Sequence, residues 1–442
     1  MEELLSIIET TDEEALHLYL AEKEPIDVAQ EIEELDDEQL DQLLLMLDDD
    51  ELASILEQAE DKERLRIVRH LDNKRLMIAL HFMQKDDIVD LLGDFPIGRR
   101  KEVINMMKAG ERQVITQLLQ YPENSAGGIM TTAYIALEDD LTLQQGLDRI
   151  HEIGPKTEEI ETIYVTNPRR QLIGWMDIRD FFTHDLNTKI RDVYDEHVIS
   201  VEPETDQEEA AALVSRYDLS SLPVVSKTQQ FLGIITVDDI IDVIQEEADA
   251  DLLQMAGVSK EEDLDTTTRE SVRNRLPWLL VNLATAFLAS FTVKAFEDTI
   301  AQVVALSAVM TIVSGMGGNA GTQTMSILVR ELSNNELDFK DCIGPFLKEL
   351  RLGFIDGAVT GATTALIVWA MYGNIYLGLI VLIAMIGNLI VSGIFGFLVP
   401  VMLKKMNADP AVASSIFVTT ATDVLGFFIF LGLARLFLPL LV

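Results

Sequence analysis

The stretch SIFVTTATDVLGFFIFLGL, residues 415 to 433, places one ionisable side chain, Asp423, inside a run apolar enough to live in lipid. A carboxylate held at bilayer depth is costly, so such a residue marks a functional position with a partner. Thr419, Thr420 and Thr422 lie beside it, and Asp409 precedes it by fourteen residues. On one continuous helix that spacing is about 21 Å, with Asp409 near a mouth and Asp423 well inside. No Lys or Arg in the apolar segments matches the depth of Asp423. Its partner is then a cation, or the same residue of a second subunit with a cation between them. The plainer alternative is a protonated Asp bonded to a nearby Thr or Asn. Carboxylates, hydroxyls, amides and carbonyls are hard donors, suited to Mg²⁺, Ca²⁺ or Mn²⁺ rather than Cu⁺ or Zn²⁺. Mg²⁺ keeps most of its waters and takes one or two carboxylates, so a single Asp per subunit fits a hydrated Mg²⁺ and leaves Mn²⁺ and Co²⁺ open. Met310, Met316 and Met325 suggest a soft-metal path, but packing is their more ordinary use.

Elements able to position Asp423 follow from hydropathy. Five apolar segments of spanning length are expected, near 276–297, 300–329, 346–372, 375–403 and 410–438. The second contains GMGGNAGTQT, residues 315 to 324, read as a break whose Asn319 and Gln323 line a polar path, with close helix packing as the alternative use of its glycines. Arg273, Arg275, Arg330, Lys340, Lys348, Arg351, Lys404 and Lys405 fall on one side of these segments. The positive-inside rule makes that side cytosolic, and five spans put the C-terminus outside. Asp356, five residues past Arg351, reads as interfacial.

The charge is divided unevenly. Of 34 basic and 74 acidic residues, 26 and 64 precede residue 276, a net of −38. Such a surface repels nucleic acid and concentrates cations. The single cysteine, Cys342, excludes an internal disulfide and a multi-thiolate metal site. The opening MEELLSIIETTDEE lacks the basic and apolar regions of a secretory signal, so the acidic block is expected to stay in the cytosol.

Residues 1–124 read as an all-α domain of short helices stacked into a superhelix, with apolar residues at three- and four-residue spacing. His17, His70 and His81 are dispersed in it, which argues against a zinc site. Residues 130–250 contain an internal repeat: IYVTNPRRQLIGWMDIRDFF aligns with LPVVSKTQQFLGIITVDDIIDVI at an offset of 59, with Gly174 over Gly233 and Asp180 over Asp239. Two α+β copies at one spacing, opened by GIMT at 128–131, resemble a tandem pair of CBS domains, modules that often bind adenine nucleotides. Asp177, Arg179 and Asp180, with Thr236, Asp238 and Asp239, occupy the positions that meet a ribose in such modules; helix capping is the competing use. A helical run at 237–255 then carries Asp239, Asp242, Glu246, Glu247, Asp249 and Asp251, a like-charge density that opposes a helix without counter-ions.

The acidic helical domain, TDQEEAAALVSRYDLSSLPVV, GIITVDDIIDVIQEEADADLLQMAG, GGNAGTQ and DPAVASSIFVTTATDVLG together resemble the MgtE family of magnesium channels over essentially the whole chain. The resemblance implies a multidomain chain: a cytosolic superhelical N-domain (1–124), a CBS pair (125–190 and 191–245), an acidic plug helix (246–275) and a five-helix transmembrane domain (276–442). It implies a homodimer in the cell membrane with one pore on its two-fold axis and Asp423 serving hydrated Mg²⁺ at the centre. It further implies a cytosolic Mg²⁺ sensor that closes the pore, using Asp86 and Asp90, Asp206 and Asp218, and Asp239, Asp242, Glu247 and Asp251. ATP as a regulatory ligand matches Arg179, Asp180 and Asp238. Ala250 replaces one acidic plug position, with Asp249 beside it. Competing readings are a Co²⁺, Mn²⁺ or Ca²⁺ transporter of the same architecture, or a membrane-anchored CBS nucleotide sensor. No nucleophile–base pair points to an enzyme.

Overall fold

The computed structural model describes residues 2–154, 157, 159–260, 262, 264, 266–334, 342–406, 408–412 and 414–442. Lys340, used above for orientation, lies outside the described residues. The chain divides into two compact units, residues 1–244 and 245–442.

The first unit opens with ten short helices: α1 (Glu2–Thr10), α2 (Glu13–Glu22), α3 (Pro25–Glu33), α4 (Asp37–Met46), α5 (Asp49–Gln58), α6 (Asp61–His70), α7 (Asn73–Phe82), α8 (Lys85–Gly93), α9 (Ile97–Met106) and α10 (Ala109–Leu118). From α2 onward they begin at 13, 25, 37, 49, 61, 73, 85, 97 and 109, one every twelve residues. The acids of the turns set this rhythm. Asp12, Asp36 and Asp72 stand at N-caps and accept the N–H three residues on, at 3.1, 2.9 and 2.7 Å. An acidic cap satisfies a free N–H and complements the positive end of the helix. Helices this short are not stable alone, so each is held by its apolar face. Helix α3 packs on α5, α5 on α7, α7 on α9, and α6 on α8. Leu40, Leu43, Leu52, Leu56, Leu76 and Leu91 are fully buried between them. Arginines tie helices three places apart: Arg66 of α6 donates to the Leu35 carbonyl after α3 (2.6 Å), Arg75 of α7 to Leu47 after α4 (2.5 Å), and Arg99 of α9 to Val68 of α6 (3.4 Å).

The repeat follows. Strand β1 (Ala136–Glu138) lies parallel to β2 (Thr162–Thr166), which pairs antiparallel with β3 (Leu172–Asp177); helix α11 (Leu143–Ile153) connects β1 to β2, and α12 (Asp180–Thr183) follows β3. In the second copy α13 (Gln207–Tyr217) precedes an antiparallel pair, β4 (Ser221–Val225) and β5 (Phe231–Thr236). Strand boundaries differ by 59 throughout, and the register slips at Val165/Thr166 and again at Val224/Val225. Both β-turns carry a left-handed residue, Arg170 (φ 58°) and Gln229 (φ 62°), also 59 apart. The second copy shares one apolar core with the helical domain, from Leu92 and Leu118 to Ile235 and Ile240. Helix α14 spans Val237–Met255, the run expected from its sequence. It ends there, and residues 268–275, expected in the connecting helix, begin the next helix instead.

The second unit is a helical bundle: α15 (Thr268–Lys294), the short α16 (Glu297–Gln302), α17 (Ala305–Asn334), α18 (Ile343–Tyr372), α19 (Ile375–Lys405), α20 (Ser414–Leu436) and the terminal α21 (Leu438–Leu441). Among the described residues, α15, α18, α19 and α20 are long and apolar enough to cross a membrane. Helix α17 is as long, but the small and polar residues of GMGGNAGTQT dilute its apolar character. The expected break there is not found; α17 runs unbroken through it. Two of its glycines, Gly317 and Gly321, are contact points. A Cβ on Gly317 would meet the Asn388 side chain at 2.1 Å, and one on Gly321 would meet Val418 at 2.5 Å. Helix α19 is central and packs on α17, α18 and α20, whereas α15 touches mainly α20 and leaves its apolar surface open.

Candidate cation sites

In the first unit a group of carboxyls gathers around the start of α8. Asp86 and Asp87 occupy its first turn and Asp90 the next. Helix α5 contributes Glu57, which accepts the Gln84 N–H at 2.7 Å. The first turn of α14 contributes Asp239, which accepts from Thr236 Oγ1 at 2.5 Å. Asp86 is bonded by Thr131 of the GIMT segment and is electrostatically coupled to both Glu57 and Asp239. Its Oδ1 is buried without a hydrogen-bond partner.

The crowding has a titration signature. Burial first, then Asp86 and Glu57, push Asp87 up to about 8 against the pull of Arg64. Asp90 is pushed to about 7 by burial and Asp86, again opposed by Arg64; its exposed outer edge lets water moderate that push. Asp239 rises to about 6, by burial and Asp86, although the Thr236 bond favours its charged form. Burial raises Asp86 and Glu57 as well. Like charges in a shielded site cannot all ionise without a cation. An all-oxygen set of this kind suits a hard divalent ion, and a buried oxygen without a hydrogen-bond partner fits such an ion or its waters. Asp86, Asp90 and Asp239 were expected from the sequence; Glu57 and Asp87 were not. A signal existed for Glu57: Gln84 interrupts a run of acidic N-cap positions at 12, 24, 36, 48, 60 and 72, so the α8 entry takes its acid from elsewhere.

In the second unit Asp423 is half-buried on α20 and accepts a hydrogen bond from Ser314 Oγ of α17. Ser314, absent from the sequence reading, is therefore its protein partner. One turn along, Asn388 of α19 is wholly buried between Gly317 and Gly426. Its Nδ2 donates to the Val313 carbonyl at 2.8 Å, and Ser392 Oγ donates to the Gly317 carbonyl at 2.7 Å. These bonds fix α17 against α19 at the level where Ser314 meets Asp423.

A family model for MgtE, described as a divalent cation transporter, matches residues 310–433. Models for the MgtE intracellular N domain and for a CBS domain match 23–124 and 190–246. A magnesium transporter MgtE of Bacillus subtilis (strain 168) is 34% identical over 361 residues, 82% of this chain and 80% of that protein. The chain belongs to the MgtE family. The MgtE of Thermus thermophilus is 32% identical over 74% of this chain and 73% of its own length. Among solved structures, the soluble part of a magnesium transporter and the cytosolic domain of the Mg²⁺ channel MgtE in complex with ATP each align with a TM-score of 0.52 at 30% identity. Both cover 55% of this chain and nearly all of their own, 96% and 98%.

Other expected positions of this MgtE chain are dispersed. Asp206 caps α13, accepting the Glu208 N–H at 2.9 Å, while Asp218 ends the same helix in a left-handed conformation (φ 52°). Eleven helical residues lie between them, a separation of about 18 Å, so one chain does not bring both to one ion. Asp242 is exposed on α14, with Glu247 and Asp251 half-buried one turn apart. Asp409 is not on the helix of Asp423: α20 starts at Ser414, and Asp409 folds into a turn that accepts the Ala411 N–H at 2.8 Å. Arg179 reaches back to Asp177, at 2.5 and 2.8 Å, and this guanidinium holds the Asp177 carboxyl below its ordinary range. Asp180 accepts the Asp177 N–H at 3.0 Å, as Asp239 accepts from Thr236 in the second copy. Asp238 is exposed at the start of α14.

Proposed function

We propose that this chain is a Mg²⁺ channel or transporter for magnesium uptake, closed by cytosolic Mg²⁺ through its acidic domains. The observation that carries the gating half is the carboxyl group around Asp86. Three of its members, Asp87, Asp90 and Asp239, have pKa values pushed to between about 6 and 8, and one buried oxygen has no partner. Mg²⁺ bridging Asp86, Asp90 and Asp239, with Glu57 and Asp87 beside them, joins the helical domain to the first turn of α14. Asp206, Asp218, Asp242, Glu247 and Asp251 serve further ions when subunits pair. Low internal Mg²⁺ leaves these groups repelling, and only a difference in ion binding between the two states moves the gate. Asp423 is the pore ligand for the hydrated ion, oriented by Ser314, and Asp409 lies on its route of entry.

The chain acts as a homodimer in the cell membrane, with its acidic domains cytosolic and its C-terminus outside, and it is no enzyme. The solved relative that holds ATP supports a regulatory nucleotide at Arg179, Asp180 and Asp238. Reconstitution into liposomes with a Mg²⁺-sensitive dye tests the reading. Wild type is expected to conduct at low Mg²⁺ on the cytosolic face and to close at high Mg²⁺. Asp423→Ala is expected to lose flux under both conditions, and unchanged flux in that variant refutes the pore assignment. Asp86→Asn with Asp239→Asn is expected to keep conducting at high Mg²⁺; normal closure refutes the sensor assignment.

A further inference from the structure

Three histidines of the helical domain face carboxylates of other helices. His70 of α6 approaches Asp41 (2.7 Å) and Asp37 (3.7 Å) of α4. There the Arg66 guanidinium already sits on Asp37, at 3.1 and 3.2 Å, and fills the place of a cation. His81 of α7 has one carboxylate, Glu111, at 3.8 Å. His17 of α2 differs from both. Its Nδ1 is 2.7 Å from Glu51 Oε1 and its Nε2 is 3.9 Å from Asp48 Oδ2, and among the described residues neither acid is paired with Arg or Lys.

One donor atom from each of His17, Asp48 and Glu51 lies within 4.8 Å of the others. Ligands of a single zinc-like ion, each about 2.0 to 2.2 Å from the metal, lie up to roughly 4 Å apart, so a small swing of the exposed Asp48 closes the set. The other two donors already lie side by side, and an ion bound there would replace the proton that His17 Nδ1 and Glu51 Oε1 share. Glu51 is held by the Asp48 N–H at 2.9 Å, and His17 is set by its bond to Glu51. The presence of an imidazole changes the chemistry from that of the all-oxygen group around Asp86, because nitrogen donors favour later first-row divalent ions over Mg²⁺.

We propose that His17, Asp48 and Glu51 form a second kind of metal site, for a divalent transition ion such as Zn²⁺, Co²⁺ or Mn²⁺, with water completing the shell. The ion ties α2 to the entry of α5. His17 precedes the residues matched by the N-domain model, 23–124, and the proposal is independent of the transport reading. The test titrates Co²⁺ into the metal-stripped full chain in excess Mg²⁺, which fills the oxygen-only sites, and follows the visible Co²⁺ absorption. Wild type is expected to bind one Co²⁺ per chain under these conditions, displaced by Zn²⁺. His17→Gln and Glu51→Gln each weaken it about tenfold or more. His70→Gln and His81→Gln leave it unchanged, with circular dichroism confirming that all variants fold. Equal Co²⁺ binding by wild type and His17→Gln, or an equal loss in His70→Gln, overturns the proposal.

Discussion

At the scale of single residues, two carboxylates have opposite fates. Asp423 finds Ser314, while Asp86 Oδ1 finds no donor. Removing Ser314 by Ala should leave the carboxylate in place but unguided, lowering flux severalfold without abolishing it, whereas Asp423→Ala abolishes it; dye-loaded liposomes separate the two. Asp86→Asn removes a charge that raises Asp87, Asp90 and Asp239. The Mg²⁺ concentration for half-closure should then rise about tenfold, the equivalent of about 1.4 kcal/mol of ion binding. Asp423 was legible in the sequence because an ion in an apolar run stands out. Ser314 was not, since a serine in a Gly-rich helix has many uses and only the packing of α17 on α20 singles it out.

Among the elements, α8 and α14 meet through acids whose pKa values are raised on folding, and this fixes a sign. A carboxyl raised in the folded state binds its proton more tightly than in the unfolded chain. Stability therefore falls as pH climbs from the ordinary carboxylate value toward the folded values of about 6 for Asp239, 7 for Asp90 and 8 for Asp87. In a chelator, the thermal midpoint of the acidic domains should drop between pH 5 and pH 8, and saturating Mg²⁺ should flatten the slope. Calorimetry across that range checks both. In the bundle, Gly357 faces α19, where a Cβ would meet the Ile386 backbone at 2.7 Å. Gly357→Leu should cost about 1–3 kcal/mol and lower the aggregation temperature in detergent. The sequence reading recovered the copies of the repeat, with their offset of 59, and helix α14 to the residue, because alternation and charge mark them. It misread 315–324 as a break, because Gly, Asn and Gln have weak helix propensity in isolation. Packing against Asn388 and Val418 supplies what propensity lacks. Asp409 was misplaced for a related reason: hydropathy alone does not show the turn before Ser414.

For the whole molecule, a net of −38 before residue 276 makes the counter-ion part of the structure. Monovalent salt screens such charge over about 8 Å at physiological strength but bridges nothing. Limited proteolysis of the full chain should thus be slowed by Mg²⁺ and not by K⁺ at matched ionic strength; equal protection would reduce the acidic faces to solvated surface. Charge is also what spaces the helical domain, since its acidic caps return every twelve residues. That regularity works as a graduated ruler. Neighbouring helices alternate in layer, so adding one twelve-residue mark would turn every later helix to the wrong side, while adding two would restore the pattern and lengthen the reach. An inserted helix pair is the smallest change that lengthens this domain and keeps its every-second-helix packing, so its reach is set in steps of that unit.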